Sequence, residues 1–308
     1  DLHGTSVSVV GDLNGDGIDD IAIGSYLNDG AFTNAGRVAV HFGGPGSGTV
    51  PDLILWGAAA NARFGWSVSG VGDVNGDGFD DLLVGAYTDT FSGTARGRAY
   101  LYFGGTTMST TPDRTFAGQA TNDQFGYSVA GAGDMNGDGY ADWIIGANAN
   151  DANGSNAGRA YVYFGGASVN NIVDLTLTGL VAGDVFGASV AGAGDMNSDG
   201  YDDVIVGAFG NDANGSAAGA AYVFLGSSSP DAASDLTMTG LIAGETLGHS
   251  VDGAGDVNGD GYDDVLVGAP GANNGENLAA GRAYVVFGRP GGAPLGLNHV
   301  EAGIGGFA

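Results

Sequence analysis

The sequence predicts an all-β chain, a β-propeller of five four-stranded antiparallel blades, and three observations lead to this prediction. A motif of nine residues recurs five times along the chain, always 61 residues after the previous copy. Each interval contains four short segments with the composition of β-strands, separated by residues typical of turns. No stretch has a useful length of helical periodicity. A long, regular period of this kind indicates repeated supersecondary units that bury their faces against one another.

The repeated motif is Asp-x-Asn-x-Asp-Gly-x-x-Asp. Its copies begin at Asp12, Asp73, Asp134, Asp195 and Asp256. The pairs Phe64-Gly65, Phe125-Gly126, Phe186-Gly187 and Leu247-Gly248 keep the same spacing, and His3-Gly4 is the degenerate first copy. We therefore predict a single propeller domain over residues 1–308. Its blades are expected at approximately 3–63, 64–124, 125–185, 186–246 and 247–308.

Each unit contains four predicted strands, which we name A to D in chain order. In the third unit they correspond to Gly126–Gly131, Trp143–Gly146, Arg159–Phe164 and Asp174–Gly179. Strand B is apolar at successive positions, which predicts that both of its faces are buried. Strand A is built from small residues, as expected near a crowded axis, and strand D is half polar, as expected at an outer edge. Radially arranged sheets satisfy all of these requirements. An open β-solenoid is the alternative, but it normally has shorter units. In the fifth unit strand D is weakest, at Leu297–Val300.

Composition and charge exclude several classes of function. The chain has 35 acidic and eight basic residues and a formal net charge of −27. Nucleic acid is therefore excluded as a partner, because phosphate binding requires clustered Lys and Arg. No apolar run approaches 18 residues, so we predict no membrane insertion. The chain contains no Cys, which excludes disulfides, thiolate metal sites and cysteine nucleophiles.

The five acidic loops predict one Ca²⁺ site in each blade. Positions 1, 3, 5 and 9 of the motif always carry an oxygen-containing side chain, and position 6 is always Gly. Position 7 varies, so only its backbone carbonyl can be a common ligand. Ca²⁺ prefers six to eight oxygen ligands, which carboxylates alternating along a turn can supply. The predicted metal residues are Asp12, Asn14, Asp16, Ile18 and Asp20; Asp73, Asn75, Asp77, Phe79 and Asp81; Asp134, Asn136, Asp138, Tyr140 and Asp142; Asp195, Asn197, Asp199, Tyr201 and Asp203; and Asp256, Asn258, Asp260, Tyr262 and Asp264.

Two other interpretations of the loops deserve comparison. An EF-hand is excluded because position 12 is an apolar residue inside strand B, where that motif needs a bidentate Glu. Asn-Gly-Asp-Gly is also good hairpin chemistry, so a single copy would be ambiguous. Position 8 is Asp in four copies but Ala141 in the third, which indicates that it is not a required ligand.

Together, the Phe-Gly pairs, the acidic loops and the Gly-Ala-Pro segment at Gly268–Pro270 resemble the FG-GAP repeat, which builds the propeller of integrin α subunits. The resemblance covers the whole chain. It implies metal ligands at positions 1, 3, 5, 7 and 9 of each loop, and calcium-dependent extracellular adhesion or partner binding without catalysis. Integrin propellers have seven blades, whereas this chain has five repeats. The chain is therefore either a closed five-bladed ring or a segment of a larger one.

We predict no enzymatic activity and no catalytic or cofactor-binding residues. His249, Ser250 and Asp252 look like an abbreviated triad, but the His position is variable among the repeats. A protein or glycan ligand is expected on the face opposite the calcium loops, where the variable B–C loops lie. The candidate anchors are Tyr26, Phe32, Tyr87, Phe91, Arg96 and Phe209. Two rival functions are a lectin-like module and an accessory propeller of a larger secreted enzyme.

Overall fold

A computed structural model describes residues 1–273, 280–290 and 306–307. All 22 elements of this part of the chain are β-strands, which confirms the all-β prediction. They form five four-stranded antiparallel sheets, one for each repeat, and one additional two-stranded hairpin. Within the described ranges no helix is long and apolar enough to cross a membrane.

The strands of each sheet follow the predicted order A, B, C, D from one edge to the other. The first sheet contains β1 (Ser6–Val9), β2 (Ile21–Ser25), β3 (Arg37–His41) and β4 (Leu53–Trp56). The second contains β5 (Ser67–Gly72), β6 (Asp81–Ala86), β9 (Arg98–Tyr102) and β10 (Arg114–Ala117), and its B–C loop forms the hairpin of β7 (Thr90–Phe91) and β8 (Thr94–Ala95).

The remaining three sheets repeat this arrangement. The third contains β11 (Phe125–Gly133), β12 (Asp142–Ala147), β13 (Arg159–Tyr163) and β14 (Leu175–Thr178). The fourth contains β15 (Ser189–Gly194), β16 (Asp203–Ala208), β17 (Ala220–Phe224) and β18 (Leu236–Thr239). The fifth contains β19 (Ser250–Gly255), β20 (Asp264–Ala269), β21 (Arg282–Val286) and β22 (Gly306–Phe307).

The fourth strand of the fifth sheet differs from the prediction. The segment that pairs with β21 is Gly306–Phe307, with Val285 opposite Phe307. The predicted segment, Leu297–Val300, lies outside the described residues. A short apolar pattern near the end of a chain does not specify which of several segments pairs with an available edge, because edge strands need little hydrophobic patterning.

Burial of strand B agrees with its apolar composition in the three middle sheets. Every residue of β6, β12 and β16 is buried. In the first and last sheets the prediction is wrong at one position each, because Ile21 is 42% exposed and Leu266 is 39% exposed.

The chain comprises two compact units, each with its own apolar core. The first unit consists of Asp1–Gly131, Tyr140–Ala147 and Tyr163–Val173, and the second consists of Ala132–Gly139, Asn148–Val162 and Asp174–Ala308. In the first unit Phe64 packs edge-on against Tyr100, with ring centroids 5.5 Å apart. In the second, Phe186 packs against Tyr222 at the same separation. The Phe of the Phe-Gly pair is therefore a core residue. A single domain closed into a ring remains a prediction.

Glycines allow backbones of successive repeats to meet closely. Gly97 forms a parallel bridge with Phe125, and Gly36, Gly158 and Gly219 make the same bridge to the following repeat. Gly97 has a φ of +79°, and a Cβ at this position would lie 2.2 Å from the carbonyl oxygen of Phe125. Such an atom would collide with backbone that cannot move independently.

We expect Gly97→Ala to destabilise the protein by about 3 kcal/mol or more, since left-handed strain and a backbone collision act together. Gly93→Ala is the matched control. Gly93 has a φ of +82° but no atom within 4 Å of an added Cβ, so only the strain of about 1 kcal/mol applies. Urea unfolding midpoints measure both effects. Equal midpoints for the two variants would contradict the close-approach explanation.

Candidate metal centres

The acidic loops (residues 12–20, 73–81, 134–142, 195–203 and 256–264) connect strand A to strand B at one end of each sheet. In the first sheet Val9, three residues before the loop, pairs with Ile21, which directly follows it. In three sheets the pairing of strand A with strand B shifts register just before the motif. The shift lies between two glycines, as between Gly70 and Gly72, which stand three residues and one residue before Asp73. A bulge with Gly in the left-handed region redirects the chain at a strand end. It thereby sets the direction in which the first Asp of the loop leaves the sheet.

The carboxylate at position 1 organises the loop around itself. Asp12 Oδ1 accepts hydrogen bonds from the N–H groups of Gly15 and Asp16, at 2.7 and 3.0 Å, and Oδ2 accepts one from Gly17 at 2.7 Å. Asp73, Asp134 and Asp256 repeat all three bonds. Desolvation raises the pKa of Asp12, but the backbone hydrogen bonds outweigh it, and the net pKa lies below its usual range. The backbone hydrogen bonds therefore stabilise the anionic form of Asp12.

Positions 3, 5 and 6 continue this turn. Asn14 Oδ1 accepts the N–H of Asp16 at 2.8 Å, and Asp16 Oδ1 accepts the N–H of Ile18 at 3.0 Å. Gly17 at position 6 has a φ of +86° with no atom within 4 Å of an added Cβ. Glycine is thus required here by conformation and not by space. The residue at position 5 is exposed in all five loops, whereas the Asn at position 3 is half-buried in the first four.

Position 9 is buried and joins the loop to the rest of its sheet. All five of these aspartates have no exposed surface: Asp20, Asp81, Asp142, Asp203 and Asp264. Asp81 Oδ2 accepts the N–H of Val74 at 3.0 Å, and Oδ1 accepts the N–H of Gly104 at 2.8 Å. Burial raises the pKa of Asp81 to about 7, although its two backbone hydrogen bonds lower it. The charges of Asp77 and Asp73 add to the increase. Asp203 has a pKa of about 7 for the same reasons.

The donor set of each loop fits a hard divalent cation. It consists of carboxylate, amide and carbonyl oxygens, with no nitrogen or sulfur ligand among positions 1, 3, 5, 7 and 9. The mutual repulsion of the carboxylates contributes to the raised pKa of Asp81, and a cation between them would remove it. Within the described residues, however, no group of three His, Asp or Glu side chains is arranged closely enough to hold a metal ion. Backbone amides of the loop surround the position-1 carboxylate instead.

Positions 7 and 8 contribute contacts that the sequence interpretation missed. Asp80, at position 8 of the second loop, accepts the N–H of Asp12 in the first loop at 2.8 Å. The ring of Phe79, at position 7, lies over Gly15 of the first loop, where an added Cβ would approach its Cε1 to 2.4 Å. Neighbouring loops are thus in direct contact. The available signal was the nearly constant Asp at position 8 and the large apolar residue at position 7.

The raised pKa of position 9 predicts a pH dependence for the calcium-free protein. The folded state holds a proton on Asp81 and Asp203 up to about pH 7, whereas the unfolded chain releases it near pH 4. Their contribution to stability is therefore complete below about pH 4 and is lost as the pH rises through about 7. We expect the urea midpoint in calcium-free buffer to fall between about pH 5 and pH 8.

The double variant Asp81→Asn, Asp203→Asn is the control for this prediction, because it removes both titrating groups. Its midpoint should depend less steeply on pH than that of the parent protein, and the remaining slope measures the general repulsion of a chain with a net charge of −27. Identical slopes for the two proteins would refute the assignment to position 9.

An aromatic cluster lies at the other end of the sheets in the first unit. This aromatic cluster consists of Tyr26, Trp66, Tyr87 and Tyr127. The Trp66 ring centroid is 4.8 Å from Tyr26, 4.7 Å from Tyr87 and 5.4 Å from Tyr127. The guanidinium of Arg63 stands 5.1 Å from the centroid of the Tyr87 ring. Tyr26 and Tyr87 are among the predicted anchors, whereas Trp66 and Tyr127 occupy the variable position that holds His249 in the fifth repeat.

The other predicted anchors are separate from this cluster or engaged elsewhere. Phe32 is exposed, and Arg96 donates to Gln119 O at 2.9 Å and Thr94 Oγ1 at 2.8 Å. Phe209 lies 5.3 Å from the ring of His249 in the second unit. The side chain of Phe91 and residues 274–279 of the fifth B–C loop are outside the described part of the chain.

Comparison with known proteins gives a consistent family assignment. A family model described as FG-GAP repeat matches residues 3–41, 64–102, 125–163, 186–224 and 247–286. The chain is 39% identical to integrin alpha-5 of Xenopus laevis over 155 residues, which are 47% of this chain and 14% of that protein. It is 31% identical to integrin alpha-PS2 of Drosophila melanogaster over 220 residues, or 66% of this chain and 15% of the relative.

A third relative, integrin alpha-PS3 of Drosophila melanogaster, is 30% identical over 252 residues, which are 77% of this chain and 21% of that protein. The chain therefore spans only a small part of each of these integrins. Among solved structures, BBS1N in complex with ARL6DN aligns with 89% of this chain and 77% of its own at 10% identity and a TM-score of 0.40, which is too low to bear on fold or function. The five matches of the repeat model cover more than half of the chain and begin where its repeats begin, so the chain belongs to the FG-GAP repeat family.

Proposed function

We propose that the chain is a calcium-stabilised, non-enzymatic interaction module of the integrin type that acts outside the cell in adhesion or partner binding. Its membership of the FG-GAP family and its similarity to integrin α subunits support an interaction role. The five acidic loops support the calcium requirement. Extracellular location is consistent with the calcium requirement, because free Ca²⁺ outside the cell is at about millimolar concentration.

The observation that carries the calcium proposal is the recurrence of one donor set on one backbone conformation. In each loop the side chains at positions 1, 3, 5 and 9 and the carbonyl of position 7 would hold the ion. Bound Ca²⁺ would supply positive charge between carboxylates that otherwise repel one another. The residues of the chain would supply orientation, because amides already fix the carboxylate at position 1 and burial fixes the one at position 9.

Calorimetric titration of the metal-free protein with CaCl₂ tests this proposal. We expect up to five ions per chain, and Mg²⁺ should bind more weakly, because it demands a smaller and more regular octahedral site. Asp77→Asn should remove one ion from the stoichiometry. Asp29→Asn is its control, since Asp29 also accepts a loop amide, that of Asn34 at 2.7 Å, but lies outside the acidic loops. A protein that binds no calcium at millimolar concentration would end the proposal.

For the partner, we propose a protein ligand that contacts the aromatic cluster. B–C loops and D–A loops share the end of each sheet that is opposite to the acidic loops, since Ser25 pairs with Arg37 at that end of the first sheet. Tyr26, Trp66 and Tyr127 of this cluster are partly exposed, whereas Tyr87 is buried. Tyr and Trp are among the residue types that most often dominate binding energy at protein interfaces. With a net charge of −27, the chain favours a basic partner surface.

A glycan ligand is the alternative that the same rings favour, since sugars also stack on aromatic faces. Glycan-array binding that is lost in Tyr26→Ala would support the lectin-like function, and Phe32→Ala serves as the exposed-aromatic control. An accessory domain of a larger secreted protein is the other alternative. The short share of each integrin that the chain matches is compatible with it.

A further inference from the structure

Position 8 of the acidic loops forms a two-bond clamp between neighbouring loops. The carboxylate of Asp80 accepts the N–H of Asp12 at 2.8 Å, while the N–H of Asp80 donates to the carbonyl oxygen of Asp12 at 3.2 Å. Both backbone polar groups of Asp12 are therefore held by one residue of the next loop. Asp12 is the position-1 residue of the first loop, and Asp80 is adjacent to Asp81, the position-9 residue of the second. The clamp joins the first ligand of one proposed site to the last ligand of the next.

The same clamp recurs in two further pairs of loops. Asp202 accepts the N–H of Asp134 at 2.7 Å, and Asp263 accepts the N–H of Asp195 at 3.0 Å. Their own N–H groups donate back to the carbonyls of Asp134 and Asp195, at 3.2 Å in both cases. The clamp is thus a property of the repeat and not an accident of one loop.

The residue before each clamped Asp is shaped to accommodate the carboxylate. Gly11, Gly133 and Gly194 all have φ between +66° and +70°. A Cβ at any of them would lie 2.1 Å from the Oδ2 of the clamping Asp. These glycines therefore leave the space that the position-8 carboxylate fills.

The third loop provides a natural exception. Ala141 occupies position 8 and retains the backbone bond, donating its N–H to the carbonyl of Asp73 at 3.2 Å. It has no carboxylate to accept the N–H of Asp73. A second backbone link is common to both kinds of pair, because Gly105 N–H donates to Leu13 O and Gly166 N–H donates to Val74 O, each at 2.8 Å. The pairs differ at position 8 by the carboxylate bond alone.

We propose that the position-8 aspartates are positioning residues that couple calcium binding in neighbouring loops. This inference rests on the proposed calcium function. In the second loop the carbonyl of Phe79 would bind the ion. Because Phe79 directly precedes Asp80, and Asp81 on its other side is already fixed by burial, ion binding would restrict Asp80 from both sides. Asp80 in turn holds the backbone of Asp12, so the first loop loses less conformational freedom when it binds its own ion. The coupling is reciprocal, because each site must affect the other by the same factor.

The distribution of clamps predicts which sites are coupled. The first loop is coupled to the second, the third to the fourth, and the fourth to the fifth. The second and third loops are coupled only through the backbone links, because Ala141 replaces the aspartate. A calcium ion in the second loop should therefore clearly strengthen calcium binding by the first loop. A calcium ion in the third loop should strengthen calcium binding by the second loop less.

A double-mutant cycle tests the proposal on the full chain. Calcium titrations are followed by ¹H–¹⁵N NMR through the position-6 amides of Gly17 and Gly78, which donate to position 1 and report the two loops separately. Asp77→Asn disables the second loop. In the parent background this should weaken binding by the first loop by about fivefold or more, the usual lower range for coupled sites. In the Asp80→Ala background the same change should have little effect.

Two further variants make the test specific. Asp80→Ala gives the second loop the residue that the third loop has naturally, so folding should be retained. Ala141→Asp should create coupling between the second and third loops, measured at Gly78 with the third loop disabled by Asp138→Asn. Asp29→Asn, which removes one charge and disturbs one carboxylate–amide bond elsewhere, should leave all couplings unchanged.

The possible outcomes separate this inference from the function on which it rests. If no loop binds calcium, the proposed function fails and the coupling fails with it. If the loops bind calcium but disabling the second loop leaves the first unaffected, the coupling is overturned while the function stands. Coupling that persists in Asp80→Ala also overturns it, because the carboxylate is then not the link.

Discussion

Removal of calcium is expected to lower the melting temperature by roughly 20 °C or more. If each site binds with a Kd one hundredth of the ambient calcium concentration, each ion contributes about 2.7 kcal/mol of stability. For a chain of 308 residues 1 kcal/mol corresponds to about 1.5 °C, so that five such sites together account for a shift of roughly 20 °C. Several such sites together rival the roughly 5–15 kcal/mol by which whole domains are stable. The bound ions would then be comparable in free energy to the net stability of a typical domain.

Scanning calorimetry before and after metal removal, with metal content measured on the same sample, checks this expectation. Addition of CaCl₂ should restore the original melting temperature, whereas an equal ionic strength of NaCl should restore only the part that comes from general charge screening. An unchanged melting temperature in a sample shown to be free of metal would rule out calcium as a structural ion. It would leave the acidic loops as hairpin turns.

Much of the fold was predictable because the repeat averages out the ambiguity of single segments. One copy of strand B, such as Leu82–Val84, is a short apolar run that fits a strand or a buried helix equally well. Five copies at one spacing, each bounded by Gly and Asp, leave only the strand. The fourth strand of the last sheet had no such support, and there the predicted segment and the observed strand Gly306–Phe307 differ.

The contacts between loops were not predictable from the pattern within one loop. Asp80 was set aside as a ligand because Ala141 replaces its counterpart in the third copy, and that reasoning considered only the residues of its own loop. Its partner is the backbone of Asp12, which is 68 residues away. A side chain that binds backbone has no complementary side chain that a sequence comparison between repeats could reveal.

The aromatic cluster illustrates the same limit. Trp66 and Tyr127 occupy one position of the repeat, and Tyr26 and Tyr87 occupy another. Tyr26 and Tyr87 were predicted as separate anchors, and the position of Trp66 and Tyr127 was considered only as a variable position among the copies. The fold of the first unit brings the two positions together, with Trp66 in contact with the other three rings. The cluster can be recognised only when the position of Tyr26 and Tyr87 is considered together with the position that Trp66 and Tyr127 occupy in the following repeat.

The last prediction separates the two kinds of aspartate within one loop. Asp203→Ala, at position 9, should destabilise the protein by about 3 kcal/mol even in calcium-free buffer, because it leaves buried amides without acceptors. Asp203 accepts the N–H of Met196 at 2.9 Å and of Gly226 at 2.8 Å and has no exposed surface. Part of the loss is offset, since the removed carboxyl was itself costly to bury, as its raised pKa indicates.

Asp199→Ala, at position 5 of the same loop, is the matched variant. Asp199 is exposed and accepts the N–H of Tyr201 at 3.1 Å, so its removal should change stability by about 0.5 kcal/mol or less without calcium. In calcium both variants should lose the contribution of one ion. Urea unfolding in the two buffers gives four free energies of unfolding. If the two variants are equally stable in calcium-free buffer, position 9 is only a metal ligand; if they differ as expected, it also anchors its loop to the sheet, and the fold holds part of each site in place before the ion arrives.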